Sequence, residues 1–306
     1  MFRTILVPLD GSELGESAIP YAEVLARKSS GRIVFLRVVP STLTSRAEGT
    51  VLVSGHVGEA QQYLADIVAL GAAADVETER IVLEGEPAEA IFEAIDRVGA
   101  DIVVMSTRGR GGIGRALRGS VADAVVHGAP VPVLVAARFS GVTWWAKGPL
   151  RLLLPLDGSA LAETALPGAS DLALTLNASV VLLRAVDYEH EFDIPHFFKD
   201  PRDDAQKYLE AVAARLKSLG IESTIEVRES RPLAAILDVA REYQVQAIVM
   251  ATHGRGRATR VALGSVAGGV LHEARVPILV VRPASATKHR GLVRERLANE
   301  ATLSRF

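Results

Sequence analysis

Apolar residues fall along this chain in short continuous runs, and the stretches between them carry apolar positions at helical spacing. Arg3 to Leu9, Arg32 to Val39, Val76 to Leu83, Asp101 to Met105 and Val131 to Ala136 read as strands. From Ala18, the positions Ile19, Ala22, Leu25 and Ala26 fit one helical face that ends before Gly31. Glu59 to Leu70 forms a second such stretch and stops at Gly71. Pro87 stands where a first helical turn tolerates a missing N–H, and Ala88 to Val98 continues that helix to Gly99. Gly119 to His127 is a fourth helix, while residues 40–55 are polar and irregular and read as a loop. The second half repeats the order. Strands are expected near 151–156, 179–186, 222–228, 246–251 and 276–281, and helices near 160–176, 202–219, 232–243 and 265–274. Such alternation predicts α/β architecture, a parallel sheet with helices on both faces and right-handed crossovers.

The halves also share words. Ile5-Leu6-Val7-Pro8-Leu9-Asp10-Gly11-Ser12 returns as Leu152-Leu153-Leu154-Pro155-Leu156-Asp157-Gly158-Ser159. Met105-Ser106-Thr107-Arg108-Gly109-Arg110 returns as Met250-Ala251-Thr252-His253-Gly254-Arg255. Gly119-Ser120-Val121-Ala122 returns as Gly264-Ser265-Val266-Ala267, and Val131-Pro132-Val133 as Val276-Pro277-Ile278. A repeat of this length is a domain rather than a solenoid unit of roughly 20–50 residues. The expected layout is a domain over 1–136, a linker over 137–149, a second domain over 150–283 and a charged tail over 284–306. Trp144 and Trp145 in the linker read as a buried anchor between the domains. The stretch 187–200, with His190, Asp193 and His196, reads as a solvated loop rather than a metal site. The tail, with Arg290, Arg294, Arg296 and Arg305, reads as disordered or as a frayed helix; its docking through Leu292, Leu297, Leu303 and Phe306 is the alternative.

Composition narrows the function. The chain has 306 residues, 49% of them hydrophobic and only 5% aromatic, so its cores are built from aliphatic side chains, as suits strands covered on both faces. A formal net charge of -2 supplies no field that would gather nucleic acid or an anionic membrane. With no cysteine there is no disulfide, thiolate metal site or thiol nucleophile, which fits a reducing compartment. The opening Met1-Phe2-Arg3-Thr4 has no signal-peptide layout, and no stretch of about 18 apolar residues suggests a membrane span. A cytoplasmic protein is expected.

Ligands of an open α/β sheet lie beyond the carboxyl ends of the strands, where strand order reverses. Asp10 follows the first strand. Gly109 follows the fourth, and Gly119-Ser120 then opens a helix. Asp157, Gly254 and Gly264-Ser265 keep that spacing. Glycine after a strand lets backbone N–H groups approach an oxyanion, and a helix start favours phosphate. The Ser120 and Ser265 hydroxyls can cap their helices or bind phosphate oxygens. Arg110, Arg115 and Arg118, with Arg255, Arg257 and Arg260, are placed to pair with phosphates. Asp10 and Asp157 can accept from a ribose or base amine, or cap the next helix, in which case the glycines merely make turns. Gly109-x-Gly111-x-x-Gly114 matches the dinucleotide fingerprint in letters alone: it follows the fourth strand, and Thr259 replaces its third glycine in the second copy.

On these residues the chain resembles a tandem universal stress protein, over 1–136 and 150–283. The nucleotide-binding members of that family carry Gly-x2-Gly-x9-Gly followed by Ser or Thr. Here Ser106-x2-Gly109-x9-Gly119-Ser120 and Ala251-x2-Gly254-x9-Gly264-Ser265 match, with Ser106 and Ala251 in place of the first glycine. The resemblance implies two five-stranded parallel sheets of Rossmann-like, nucleotide-binding alpha-hydrolase-like type. It implies ATP, with or without Mg2+, as the bound cofactor. It implies that Asp10, Gly11, Asp157 and Gly158 meet the adenosine part and that Val39 and Val186 flank adenine. The backbone around Met105, Ser106, Arg108, Gly109, Arg110, Gly119, Ser120 and Val121 would hold phosphates, as would Met250, Ala251, His253, Gly254, Arg255, Gly264, Ser265 and Val266. It further implies pairing through the last strands, met internally as a pseudo-dimer or extended to a homodimer, and protein partners of unknown kind.

Three functions compete: a nucleotide-binding regulatory protein of the stress response, a nucleotide-free interaction module, and a slow ATPase. Hydrolysis wants a base and usually a metal. No acidic residue lies between Arg108 and Ser120 or between His253 and Ser265, and the counterpart of His253 is Arg108, so no catalytic residue and no metal ligand is assigned. The first function is the expected one.

Overall fold

The computed structural model describes residues 2–40, 54–70, 75–106, 120–136, 144, 148–187, 201–252 and 263–282. The chain divides into two compact units, Phe2–Arg138 and the segment from Phe139 onward.

The first unit runs β1 (Thr4–Leu9), α1 (Glu13–Glu16), α2 (Ile19–Ser29), β2 (Arg32–Val39), α3 (Ser54–Ala69), β3 (Glu77–Glu84), α4 (Pro87–Val98), β4 (Ile102–Ser106), α5 (Ser120–Gly128) and β5 (Val133–Ala136). Its strands lie in the order β3-β2-β1-β4-β5, and each described pair is parallel. The chain steps outward from β1 to β2 to β3, then returns to place β4 on the other side of β1. The reversal therefore falls between β1 and β4. Right-handed crossovers put α2 and α3 on one face and α4 and α5 on the other, consistent with the packing of α4 on α5 and of α3 on β2 and β3. The core is aliphatic: Ile5, Leu6, Ile33, Leu36, Ile102 and Leu134 are fully enclosed. At the start of β2 the chain passes so close to β1 that a Cβ on Gly31 would stand 2.7 Å from the Arg3 carbonyl oxygen.

The second unit repeats this plan with β6 (Leu150–Pro155), α6 (Ala160–Glu163), α7 (Leu166–Leu176), β7 (Ala178–Val186), α8 (Pro201–Ser218), β8 (Ser223–Glu229), α9 (Pro232–Glu242), β9 (Ala247–Ala251), α10 (Ser265–Glu273) and β10 (Ile278–Val281). Its order β10-β9-β6-β7-β8 reverses between β6 and β9.

Two predicted elements differ from the structure. The single helix expected over 160–176 is two, α6 and α7, and α1 stands in the same place before α2. The cause is a proline in each first turn, Pro20 and Pro167, which has no N–H to continue a preceding helix. Helix α3 starts at Ser54, ahead of the expected Glu59. Residues 54–58 have no apolar periodicity, whereas Ala60, Leu64 and Ile67 lie buried in register with the sheet.

Trp144 is buried, and its indole donates to the Gln246 carbonyl at 2.9 Å, so the linker is anchored to the second unit. The neighbouring Trp145, the stretch His190 to His196 and the tail 284–306 lie outside the described residues. No described helix is long and apolar enough to cross a membrane. Among the described residues no group of three or more acidic or histidine side chains is placed to hold a metal ion.

Candidate functional site

Both sheets carry the same turn at the switch point. After β1 the chain enters Asp10-Gly11-Ser12, with Gly11 at φ 74°, and after β6 it enters Asp157-Gly158-Ser159, with Gly158 at φ 79°. That left-handed backbone is the region where a Cβ clashes with the following carbonyl, so glycine is the residue that fits. The Asp10 carboxylate accepts from the Ser12 N–H at 3.1 Å and from the Ser12 hydroxyl at 2.6 Å. The Ser12 hydroxyl in turn accepts from the Gly15 N–H at 3.0 Å and caps α1. In the second unit Asp157 accepts from the Ser159 N–H at 2.9 Å, and the Ser159 hydroxyl caps α6 through Ala162 N–H at 3.1 Å. The helix caps are therefore the serines. Each aspartate fixes its serine through one carboxylate oxygen and stands at the mouth of the switch point.

The facing strand ends are Met105-Ser106 on β4 and Met250-Ala251 on β9, all buried. Their side chains belong to the core, and what they offer a crevice is backbone. Val39 and Val186 are likewise buried, at 5% and 2% exposure, and the half-buried positions at those strand ends are Val38 and Ala185. Across the reversal, α10 begins with Gly264 as its N-cap and Ser265 exposed, and among the described residues no side chain caps it. A helix start of this kind presents first-turn N–H groups that the helix itself does not satisfy. The Gly264 N–H donates to the Thr252 carbonyl at 3.0 Å, which ties this helix start to the end of β9. The Ser265 hydroxyl does not serve as the cap. Ser120 opens α5 and is also exposed, with Val121 half-buried beside it, as Val266 is in the second unit. The structure thus gathers Asp10, Gly11 and Ser106 at one switch point, and Asp157, Gly158, Ala251, Gly264 and Ser265 at the other. Arg108, Gly109, Arg110, Gly119, His253, Gly254 and Arg255 lie outside the described residues.

Beside each aspartate turn lies a cluster that periodicity alone does not reveal. Arg37 on β2 donates through Nη1 to the Leu9 carbonyl at 3.1 Å, and its guanidinium carbon sits 5.8 Å from the centroid of the Tyr63 ring on α3. The Tyr63 phenol donates to Glu16 at 2.9 Å. In the second unit Arg184 stands 5.4 Å from the Tyr208 ring, and Tyr208 donates to Glu163 at 3.2 Å. Here Arg215 also pairs with Glu163 at 2.8 Å. Both phenols are pushed well above their usual value. Burial is the first cause in each. The hydrogen bond to Glu16 comes next for Tyr63, and the charge of Glu163 for Tyr208.

An open parallel sheet with helices on both faces and polar turns at its reversal defines a doubly wound α/β protein, here present twice. The Universal stress protein family model matches residues 1–137 and 150–282, and the chain belongs to that family. A universal stress protein of Mycolicibacterium smegmatis is 28% identical over 295 residues, covering 91% of this chain and 97% of that one. Another from Methanocaldococcus jannaschii is 32% identical over 142 residues, 45% of this chain and 84% of its own. Among solved structures, a universal stress protein of Archaeoglobus fulgidus superposes with a TM-score of 0.68 at 22% identity, over 91% of this chain and 98% of its own, and shares the fold.

Proposed function

We propose that this tandem universal stress protein is a regulatory protein of the stress response that binds adenine nucleotide, ATP foremost, at the two switch points. The observation that carries this reading is the duplicated left-handed Asp-Gly turn at each reversal, joined in the second unit by the α10 start at Gly264-Ser265. The residues fit the group chemically. Asp10 and Asp157 supply an acceptor for ribose or base, and the helix start supplies N–H groups and a favourable dipole for phosphate. Phosphate contacts from Gly109, Gly119, Arg110 and Arg255, and a companion Mg2+, belong to this proposal. The cytoplasm is the compartment that matches a cysteine-free chain. No catalytic role is assigned to any residue.

The test is to denature freshly purified protein and identify released small molecules by mass spectrometry, followed by ATP titration in a calorimeter. The expected result is adenine nucleotide, near two per chain for two working sites and near one for a single site. Asp10→Ala with Asp157→Ala should abolish uptake. A protein that emerges empty and gives no heat with ATP sinks the proposal. It would favour the nucleotide-free interaction module, a reading sustained by Ser106 and Ala251 where the nucleotide-binding motif has glycine.

A further inference from the structure

The cluster of Glu16, Arg37 and Tyr63 closes a ring of contacts around the Asp10 turn. Asp10 holds Ser12, at 3.1 Å to its N–H and 2.6 Å to its hydroxyl. Ser12 caps α1, and Glu16 ends it. Glu16 receives the Tyr63 phenol at 2.9 Å, and Tyr63 carries the Arg37 guanidinium over its ring. Arg37 returns to the Leu9 carbonyl at 3.1 Å, one residue before Asp10, and Leu9 and Arg37 are register partners. The ring is drawn from β1, α1, β2 and α3, and Glu163, Arg184 and Tyr208 recur around Asp157. Three side chains from three elements recurring together at one place in both repeats mark a built feature of the turn.

We infer that Arg37 is a positioning residue: it fixes the strand end from which Asp10 projects, and so sets the carboxylate in place for a nucleoside. This rests on the proposed nucleotide site and assigns it a residue outside the glycine motif. An arginine suits the role because its planar guanidinium can lie on an aromatic ring while donating sideways to a carbonyl. A lysine keeps the charge and an N–H donor group able to reach the carbonyl, whereas a methionine keeps only the apolar stem.

The experiment uses the full chain carrying Asp157→Ala, so that the first site reports. ATP affinity is measured by calorimetry and amide hydrogen exchange is followed over residues 10–16, for Arg37→Met, Arg37→Lys and the milder Tyr63→Phe. The expected result for Arg37→Met is faster exchange in the turn and roughly tenfold weaker ATP binding, the scale of one lost charge-assisted hydrogen bond. Arg37→Lys should recover most of both. Tyr63→Phe, which frees Glu16 but keeps the ring, should loosen the turn with the fold intact even if Arg37→Met folds poorly. Equal behaviour of the methionine and lysine variants overturns the inference, as does a turn whose exchange none of the three changes. A turn that loosens without weaker ATP binding overturns it too. Parent protein that takes up no ATP instead refutes the nucleotide reading, and the exchange data then decide the positioning role by themselves.

Discussion

At the scale of single residues, the two aspartate turns depend on glycines whose left-handed backbone L-residues adopt only with strain. Gly11→Ala or Gly158→Ala should each cost about 1–2 kcal/mol, the penalty of placing a Cβ in left-handed backbone. A drop in the urea midpoint at unchanged slope checks this. These glycines, with Asp10 and Asp157, were legible in the sequence because they are non-apolar residues repeated directly after apolar runs. The Glu16, Arg37 and Tyr63 cluster was not, because no local spacing joins positions drawn from α1, β2 and α3. The signal that would have found it is the same trio returning as Glu163, Arg184 and Tyr208. Nor does periodicity separate Val39 from Val38, since only the folded strand end decides which of the two stays partly exposed.

Among elements, strands were easiest to read, because aliphatic runs covered on both faces leave few alternatives. Helix boundaries were harder. The break between α6 and α7 follows from Pro167, but helical spacing runs on through it, so the pattern alone joins the two. At the start of α3, His56, Gly58 and Glu59 are exposed, so no buried stripe marks that turn in the sequence. Edge strands show a further constraint: β3, which ends its own sheet, exposes Glu77, Glu79 and Glu84, and such charges oppose pairing with foreign strands. The corresponding helices α3 and α8 bury Leu64 and Leu209 completely. Leu64→Ala and Leu209→Ala should each lower stability by about 2–5 kcal/mol, as cavity-forming changes do. Equal losses by denaturant titration would confirm that the repeats stack these helices alike.

For the whole molecule, both units share a weakness at alkaline pH. The Tyr63 and Tyr208 phenols ionise in the folded chain only well above the unfolded value of about 10. Their contribution is complete below that value and is lost as pH rises toward the folded one, because the unfolded chain releases its protons first. The Tyr63→Phe and Tyr208→Phe double variant should therefore show a flatter fall in urea midpoint above about pH 10 than the parent. An identical fall in both would refute this account. Duplication was the most legible fact about the chain, since Asp-Gly-Ser written twice needs no structure to be seen. It has a chemical consequence as well. In an Asp-Gly pair the glycine nitrogen can attack the aspartate side-chain carboxyl and expel water, closing a succinimide that hydrolysis reopens largely as isoaspartate. The native turns hold each carboxylate on its serine and fix the glycine backbone, and unfolding releases both constraints. Every excursion to the unfolded state thus exposes two ageing sites, so covalent wear begins at the residues that face the switch points.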